Sequence, residues 1–280
     1  MVGGTGQKLA STATAPDGVT LAVQEWGNPD GAELLLIHGV AQSHLSFARQ
    51  FASPLARDFR IVTFDLRGHG LSAKPLEQAF YQDPRRWADD VRAVMAACGL
   101  RRPVLVGWSL GGRVLRAYLM HHGDDGLGGI NIVSARPIEH PSVVVPPPVP
   151  ADDPSASPLA QRIGALSAFL GACYAIPPEP ADFATALTFN AMLPWEVREA
   201  IAGWSTPPEA AIAALRRVRV PTLITHGRRD RLILPAAAEM TAAAVPHARI
   251  SWYERCGHSP FYEDAPRFNR ELAEFVASAA

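Results

Sequence analysis

The stretch GWSLGG, Gly107–Gly112, stands between an apolar run, PVLV (103–106), and an amphipathic run, RVLRAYLMHH (113–122). The first reads as a buried strand and the second as a helix. A serine at that junction sits on a sharp turn, which needs glycines on both sides for clearance. Such a turn lifts the Ser109 Oγ above the C-terminal end of the strand. The helix that follows aims its N-terminus at the same place, where free N–H groups and the helix dipole favour a developing negative charge.

The same alternation runs through most of the chain. Strand-like runs are TLAVQEW (20–26), ELLLIH (33–38), FRIVTFD (59–65), PVLVGW (103–108), GGINIVS (128–134), VPTLITHG (220–227) and ARISWYE (248–254). Helical patterns cover Ser43–Ala56, Pro84–Ala97, Leu110–His122, Ala236–Ala244 and Pro266–Ala279. Most of these strands are continuously apolar, as strands covered on both faces are. Strands of that kind alternating with helices predict an α/β fold with a parallel sheet and right-handed crossovers. The pattern breaks between Ala135 and Leu215. Eight prolines fall between Pro137 and Pro158, and Phe169, Tyr174, Phe183, Phe189, Trp195 and Trp204 follow. Proline this dense does not enter a central strand. The expected organisation is a core of residues 1–134 and 216–280, interrupted by a mainly helical lid over 135–215 that covers a pocket.

Composition narrows the function. The chain has 280 residues, 48% hydrophobic and 19% charged, with 26 basic against 27 acidic side chains and a formal net charge of −1. That is a globular composition, long enough for a large core. The near-neutral balance gives no electrostatic footprint for nucleic acid or an anionic membrane. No apolar stretch approaches the ~18 residues of a membrane span, and MVGGTGQKLASTATAPDG at the start lacks the continuous apolar centre of a secretory signal. Cys98, Cys173 and Cys256 are far apart and odd in number, so neither a disulfide framework nor a metal cluster is expected. A reducing, cytoplasmic setting fits best. The motifs H-E-x-x-H and C-x-x-C are absent from the sequence. DLRGHGLS (65–72) runs into a G-x-G-x-x-A string, Gly68–Ala73, with Asp89 about twenty positions on. A dinucleotide site needs that string to open a helix directly, whereas Lys74-Pro75 follows and the next helical pattern starts at Pro84. No cofactor is therefore expected, and His69 is read as a loop-stabilising residue.

At this point the chain resembles the α/β-hydrolase family over nearly its whole length. GWSLG matches the G-x-S-x-G of the family's nucleophile turn, and the triad there runs Ser, acid, His in chain order. ITHGRRD places Asp230 three residues after Gly227, like the family's G-x-x-D. His258–Pro266 reads H-x-P-x-x-E-x-x-P, like the family's turn into its last helix. HGVAQS (38–43) resembles H-G-x-x-x-S. The resemblance implies an eight-stranded, mostly parallel sheet with flanking helices and an inserted helical lid. It implies Ser109 as nucleophile, His258 as base and Asp230 as its partner, and the N–H groups of Val40 and Leu110 as oxyanion donors. His38 and Ser43 then support the loop. Glu254 and Asp264 do not fall on the loop expected for the acid. Trp108, Phe169, Tyr174, Phe189 and Trp195 are the candidate pocket walls. They suggest a small-molecule ester or lactone with a small to medium apolar or aromatic acyl group. The same resemblance also admits perhydrolase-type haloperoxidases without cofactors, C–C bond hydrolases, and a ligand receptor that keeps the triad. Dehalogenases and epoxide hydrolases of this fold would carry Asp at position 109.

Overall fold

The continuous apolar runs become the middle of one eight-stranded sheet in the computed structural model, which describes residues 7–146 and 157–279. The strands are β1 (Gln7–Thr14), β2 (Thr20–Gly27), β3 (Ala32–Ile37), β4 (Phe59–Phe64), β5 (Val104–Trp108), β6 (Gly129–Val133), β7 (Thr222–Gly227) and β8 (Arg249–Tyr253). Their spatial order is β1-β2-β4-β3-β5-β6-β7-β8. β1–β2 and β2–β4 pair antiparallel, and every other pair is parallel.

Burial follows position in the sheet. Every residue of β5, β6 and β7 is buried, while the edge strand β8 exposes Arg249 and half-exposes Ile250 and Trp252. Successive side chains enter opposite cores, as the two-residue period of a strand requires. Leu35, Ile37 and Leu105 join the cluster containing Val91, Val114 and Leu119. Leu34, Leu36, Val104, Val106 and Trp108 join the other, with Phe47, Phe268 and Leu272. β1 was not among the expected strands. QKLASTAT is largely polar and carries little hydrophobic signal; its antiparallel pairing with β2 makes it the sheet's other edge.

The helices Pro84–Ala97, Leu110–His122, Ala236–Ala244 and Ala265–Ser278 lie where the periodicity places them. The expected helix over Ser43–Ala56 is instead broken into a 3-10 turn (His44–Phe47) and two single helical turns (Ala48–Phe51, Leu55–Asp58). Pro54 has no N–H and its ring crowds the carbonyl four residues back, so the helix cannot pass through it. Ser53 Oγ restarts the chain by accepting the Leu55 N–H at 3.1 Å.

Between β6 and β7 the described residues form the helices Pro158–Ala172, Pro180–Ala191, Trp195–Ala202 and Pro208–Leu215. Each begins at a proline or directly after one, using a residue whose missing N–H has no intrahelical partner at that position anyway. Residues 147–156 of the proline-rich stretch lie outside the described residues. Pro208–Leu215 buries Ala211 and Leu215 in the same cluster as Val114, so this last helix belongs to the layer covering the sheet. No helix among the described residues is long and apolar enough to cross a membrane.

Candidate active site

Ser109 follows β5 in a backbone conformation that side-chain-bearing residues rarely adopt, with φ 54° and ψ −115°. Such strain costs of order 1–3 kcal/mol and persists only where the surroundings enforce it. The flanking glycines show how. A Cβ on Gly107 would lie 2.6 Å from the Gly111 carbonyl oxygen, and one on Gly111 would lie 2.2 Å from that of Ile37. The turn is thus pressed between its own helix and the end of β3. The Ser109 N–H donates to the Val133 carbonyl at 3.0 Å, fixing the turn to β6 as well.

The loop after β3 lies directly against this turn. A Cβ on Gly39 would fall 3.1 Å from the Ser109 Cβ. Val40 follows, then Ala41, whose φ is 57°. Among the described residues, neither the Val40 nor the Leu110 N–H donates to another residue. His38 and Ser43 hold the loop. His38 is fully buried, accepts the Leu66 N–H on Nε2 at 3.0 Å and meets the Gly39 carbonyl through Nδ1 at 2.8 Å. That assigns the proton to Nδ1, and burial depresses its pKa to about 4 despite Asp65 nearby. Ser43 Oγ accepts the Leu45 N–H at 3.2 Å.

Asp230 and His258 come from the loops after β7 and β8. His258 Nδ1 is 2.8 Å from Asp230 Oδ2, and both residues are buried. The second carboxylate oxygen accepts the N–H groups of Leu232 and Ile233, each at 2.9 Å. Burial alone would raise the pKa of Asp230; His258, His226 and the backbone donors outweigh it and hold the carboxyl below its ordinary value. A carboxylate on Nδ1 fixes the proton there and leaves Nε2 as an acceptor. His258 is brought to the Ser109 turn by Trp108, whose Nε1 donates to the His258 carbonyl at 2.8 Å while the two rings sit 5.7 Å apart. Ser109 Oγ and His258 Nε2 are not hydrogen-bonded to each other among the described contacts; such pairs commonly tighten only with substrate bound.

The other titratable candidates lie elsewhere. Glu254 is exposed near Arg228, and Asp264 caps the helix Ala265–Ser278. His69 is buried, and burial depresses its pKa to about 3, with Nδ1 on the Arg67 carbonyl. Gly68 and Gly70 form a turn with positive φ, and a Cβ on Gly70 would strike the Asp65 carboxylate at 2.3 Å. The chain after this turn stays non-helical until Ala79. Among the described residues no group of three or more His, Cys, Asp or Glu is placed to hold a metal.

A cleft of about 960 Å3 lies between the core and the segment joining β6 to β7. Trp108, Tyr174 and Phe189 line it; Phe169 and Trp195 do not. Phe169 packs instead against two apolar clusters. Trp195 is 40% exposed, flanked by the guanidinium groups of Arg162 and Arg198. Ser109 and His258 are not on the cleft wall, which includes Trp108, the residue before Ser109 and the donor to the His258 carbonyl. Residues the sequence reading overlooked are Gln42, Phe261 and a polar group at the rim, where Arg49 lies 3.8 Å over the Tyr262 ring and 3.1 Å from Asp182. Gln42, Phe261 and Tyr262 fall at unspecified positions of the strings quoted above, and Arg49 and Asp182 fall in none, because these residues meet only across the fold.

A model of the alpha/beta hydrolase family matches residues 34–271, from β3 into the last helix. The chain belongs to that family. The structure superposes on a putative aryl esterase from Burkholderia cenocepacia with a TM-score of 0.91 at 38% identity, covering 97% of this chain and 99% of that one. An esterase from Rhodococcus sp. ECU1013 gives a TM-score of 0.84 at 30% identity, covering 97% and 99%. A non-heme haloperoxidase from Rhodococcus erythropolis is 28% identical over 280 residues, 95% of this chain and 98% of the relative.

Proposed function

We propose that this protein is a serine hydrolase that cleaves carboxylic esters through an acyl-enzyme intermediate. The observation that carries the reading is the buried 2.8 Å pair of His258 and Asp230, tied through Trp108 to the strained turn of Ser109. His258 Nε2 accepts the Ser109 proton as Oγ attacks the carbonyl carbon. Asp230 keeps the imidazole in the required tautomer and stabilises the imidazolium. The N–H groups of Val40 and Leu110 receive the oxyanion, and a donor of this kind is typically worth about 2.7–4 kcal/mol in the transition state. His258 then gives its proton to the departing alkoxide, and the acyl group stays on Ser109. In the second half, His258 deprotonates a water that attacks the acyl carbon, and Ser109 regains its proton as the acid leaves.

The segment 135–215, apart from its last helix packed on the sheet, is taken as the cap that shapes the substrate space, with Tyr174 and Phe189 as its contribution to the cleft. The mostly apolar wall favours small to medium apolar or aromatic acyl groups, as esters or lactones, and the likeness to two esterases supports this class. A series of p-nitrophenyl esters of increasing acyl length tests the proposal. Steady multiple turnover is expected, best with short or aromatic acyl groups. An absence of turnover throughout the series would favour a ligand receptor instead. The likeness to a non-heme haloperoxidase supports a second reading, in which peroxide replaces water at the acyl-enzyme. Bromide oxidation that requires both acetate and peroxide would select it.

A further inference from the structure

The string His258–Pro266 carries an acidic residue that the chemistry above leaves unused. Glu263 ends the short helix Pro260–Glu263 and spends both carboxylate oxygens on backbone donors. Oε1 accepts the N–H of Gly257 at 2.8 Å and of Ser259 at 3.3 Å, the two residues flanking His258. Oε2 accepts the N–H of Ala175 and of Ile176, each at 2.8 Å. Those two belong to the stretch between the helices Pro158–Ala172 and Pro180–Ala191, far away in sequence.

Two further observations show that the two segments are in direct contact. A Cβ on Gly257 would lie 2.7 Å from the Ala175 nitrogen and 3.2 Å from the Tyr174 carbonyl carbon. Only glycine leaves room there for the inserted chain to pass. On the other side, Arg231, next to Asp230, donates from Nη2 to the Tyr174 carbonyl at 3.1 Å. The Tyr174–Ile176 turn therefore touches the loops of both His258 and Asp230. Hydrogen bonds from N–H groups to an ionised carboxylate are about twice as strong as neutral ones, so a single side chain that accepts four of them is an effective clamp.

We propose that Glu263 is a positioning residue. Its carboxylate fixes the backbone on both sides of His258 and locks the Tyr174–Ile176 turn to it, so the imidazole and the base of the inserted segment are placed together. His258 is then held at three points: Asp230 at Nδ1, Trp108 at the carbonyl, and Glu263 at the flanking amides. Tyr174, a wall of the cleft, is registered to the same clamp. This inference rests on the reading of His258 as the general base.

Glu263→Gln keeps the shape but leaves one carbonyl oxygen to accept, and turns an amide NH2 toward two N–H donors. A misplacement near 1 Å can cost about 100-fold in rate, so kcat is expected to fall 10- to 100-fold with KM little changed. Amide hydrogen exchange supplies the readout that does not depend on activity. In the wild type the amides of Gly257, Ser259, Ala175 and Ile176 are expected to exchange as one group, and in the variant all four lose protection together. Retained protection at Ala175 and Ile176, an unchanged kcat, or an effect confined to KM would overturn the proposal. If the variant does not fold, wild-type exchange decides alone: one shared opening supports the clamp, and two independent pairs refute it. Failure of the general-base reading would show separately, as turnover surviving His258→Ala, with the wild-type exchange pattern unaltered.

Discussion

The helix Leu110–His122 buries ten of its 13 residues, whereas Pro158–Ala172, two residues longer, buries Leu170 and Ala172. The first starts directly after Ser109 and is pressed so closely on its surroundings that Gly111 and Gly112 have no room for a side chain. The second lies in the inserted region and presents Leu159 and Ile163 to solvent. Helices with few buried contacts open at lower free energy than those of the core. The contrast divides the labour of the molecule. Positions that must be held to a fraction of an ångström sit on the rigid sheet ends. Tyr174 and Phe189 reach the cleft from a more lightly packed covering, which is tied to the sheet ends at the Tyr174–Ile176 turn.

Substitutions on the two sides should behave accordingly. Ser109→Ala removes the nucleophile and should lower kcat on a p-nitrophenyl ester by about 10⁶, with KM and the thermal midpoint nearly unchanged. Asp230→Asn should cost about 10⁴ in kcat. An amide at that place donates to His258 Nδ1 and moves the ring proton to Nε2, where an acceptor is needed. The same variant has a stability signature. The Asp230 pKa is lower folded than the roughly 3.9 of an unfolded chain. Its stabilising contribution is therefore complete above that value and is lost as pH falls through the folded pKa. Urea melts should show a gap between wild type and variant that is constant near neutrality and closes only under acid conditions, below about pH 4. A gap that widened with acidity would contradict the assigned direction.

Effects from the covering should be smaller and of another kind. Phe189→Ala removes an aromatic wall of the cleft and should raise KM about tenfold, about 1.4 kcal/mol, with kcat within a few-fold. A large loss of kcat instead would mean that the inserted region takes part in the chemistry. Trp195→Ala should do least. This side chain is exposed and outside the cleft, so stability should stay within about 0.5 kcal/mol and the ester profile should not move.

How far the sequence could be read follows the same division. β5 and β7 are legible because burial on both faces leaves no polar residue to blur the run. The places of Ser109, Asp230 and His258 just past β5, β7 and β8 are legible because each sits in a short motif there. β1 is not, since an antiparallel edge tolerates polar side chains such as those of QKLASTAT. The break in Ser43–Ala56 was available in Pro54, but the apolar spacing across it suggested one helix. Phe169 and Trp195 show where pattern stops informing. Aromatic content marks a region that buries something, but the phase of each helix against the sheet decides which rings reach the cleft. Gln42 and Glu263 stand inside strings that the sequence displays, but their roles come from neighbours brought together only by the tertiary fold.

The central claim, that Ser109 carries the acyl group, is tested most directly by stoichiometric labelling with a fluorophosphonate, followed by peptide mass mapping and an ester assay on the same sample. The account predicts one adduct per chain, on the peptide containing Ser109, with turnover falling in proportion to labelling. Full turnover in completely labelled protein, or inactivation through an adduct elsewhere, would contradict it.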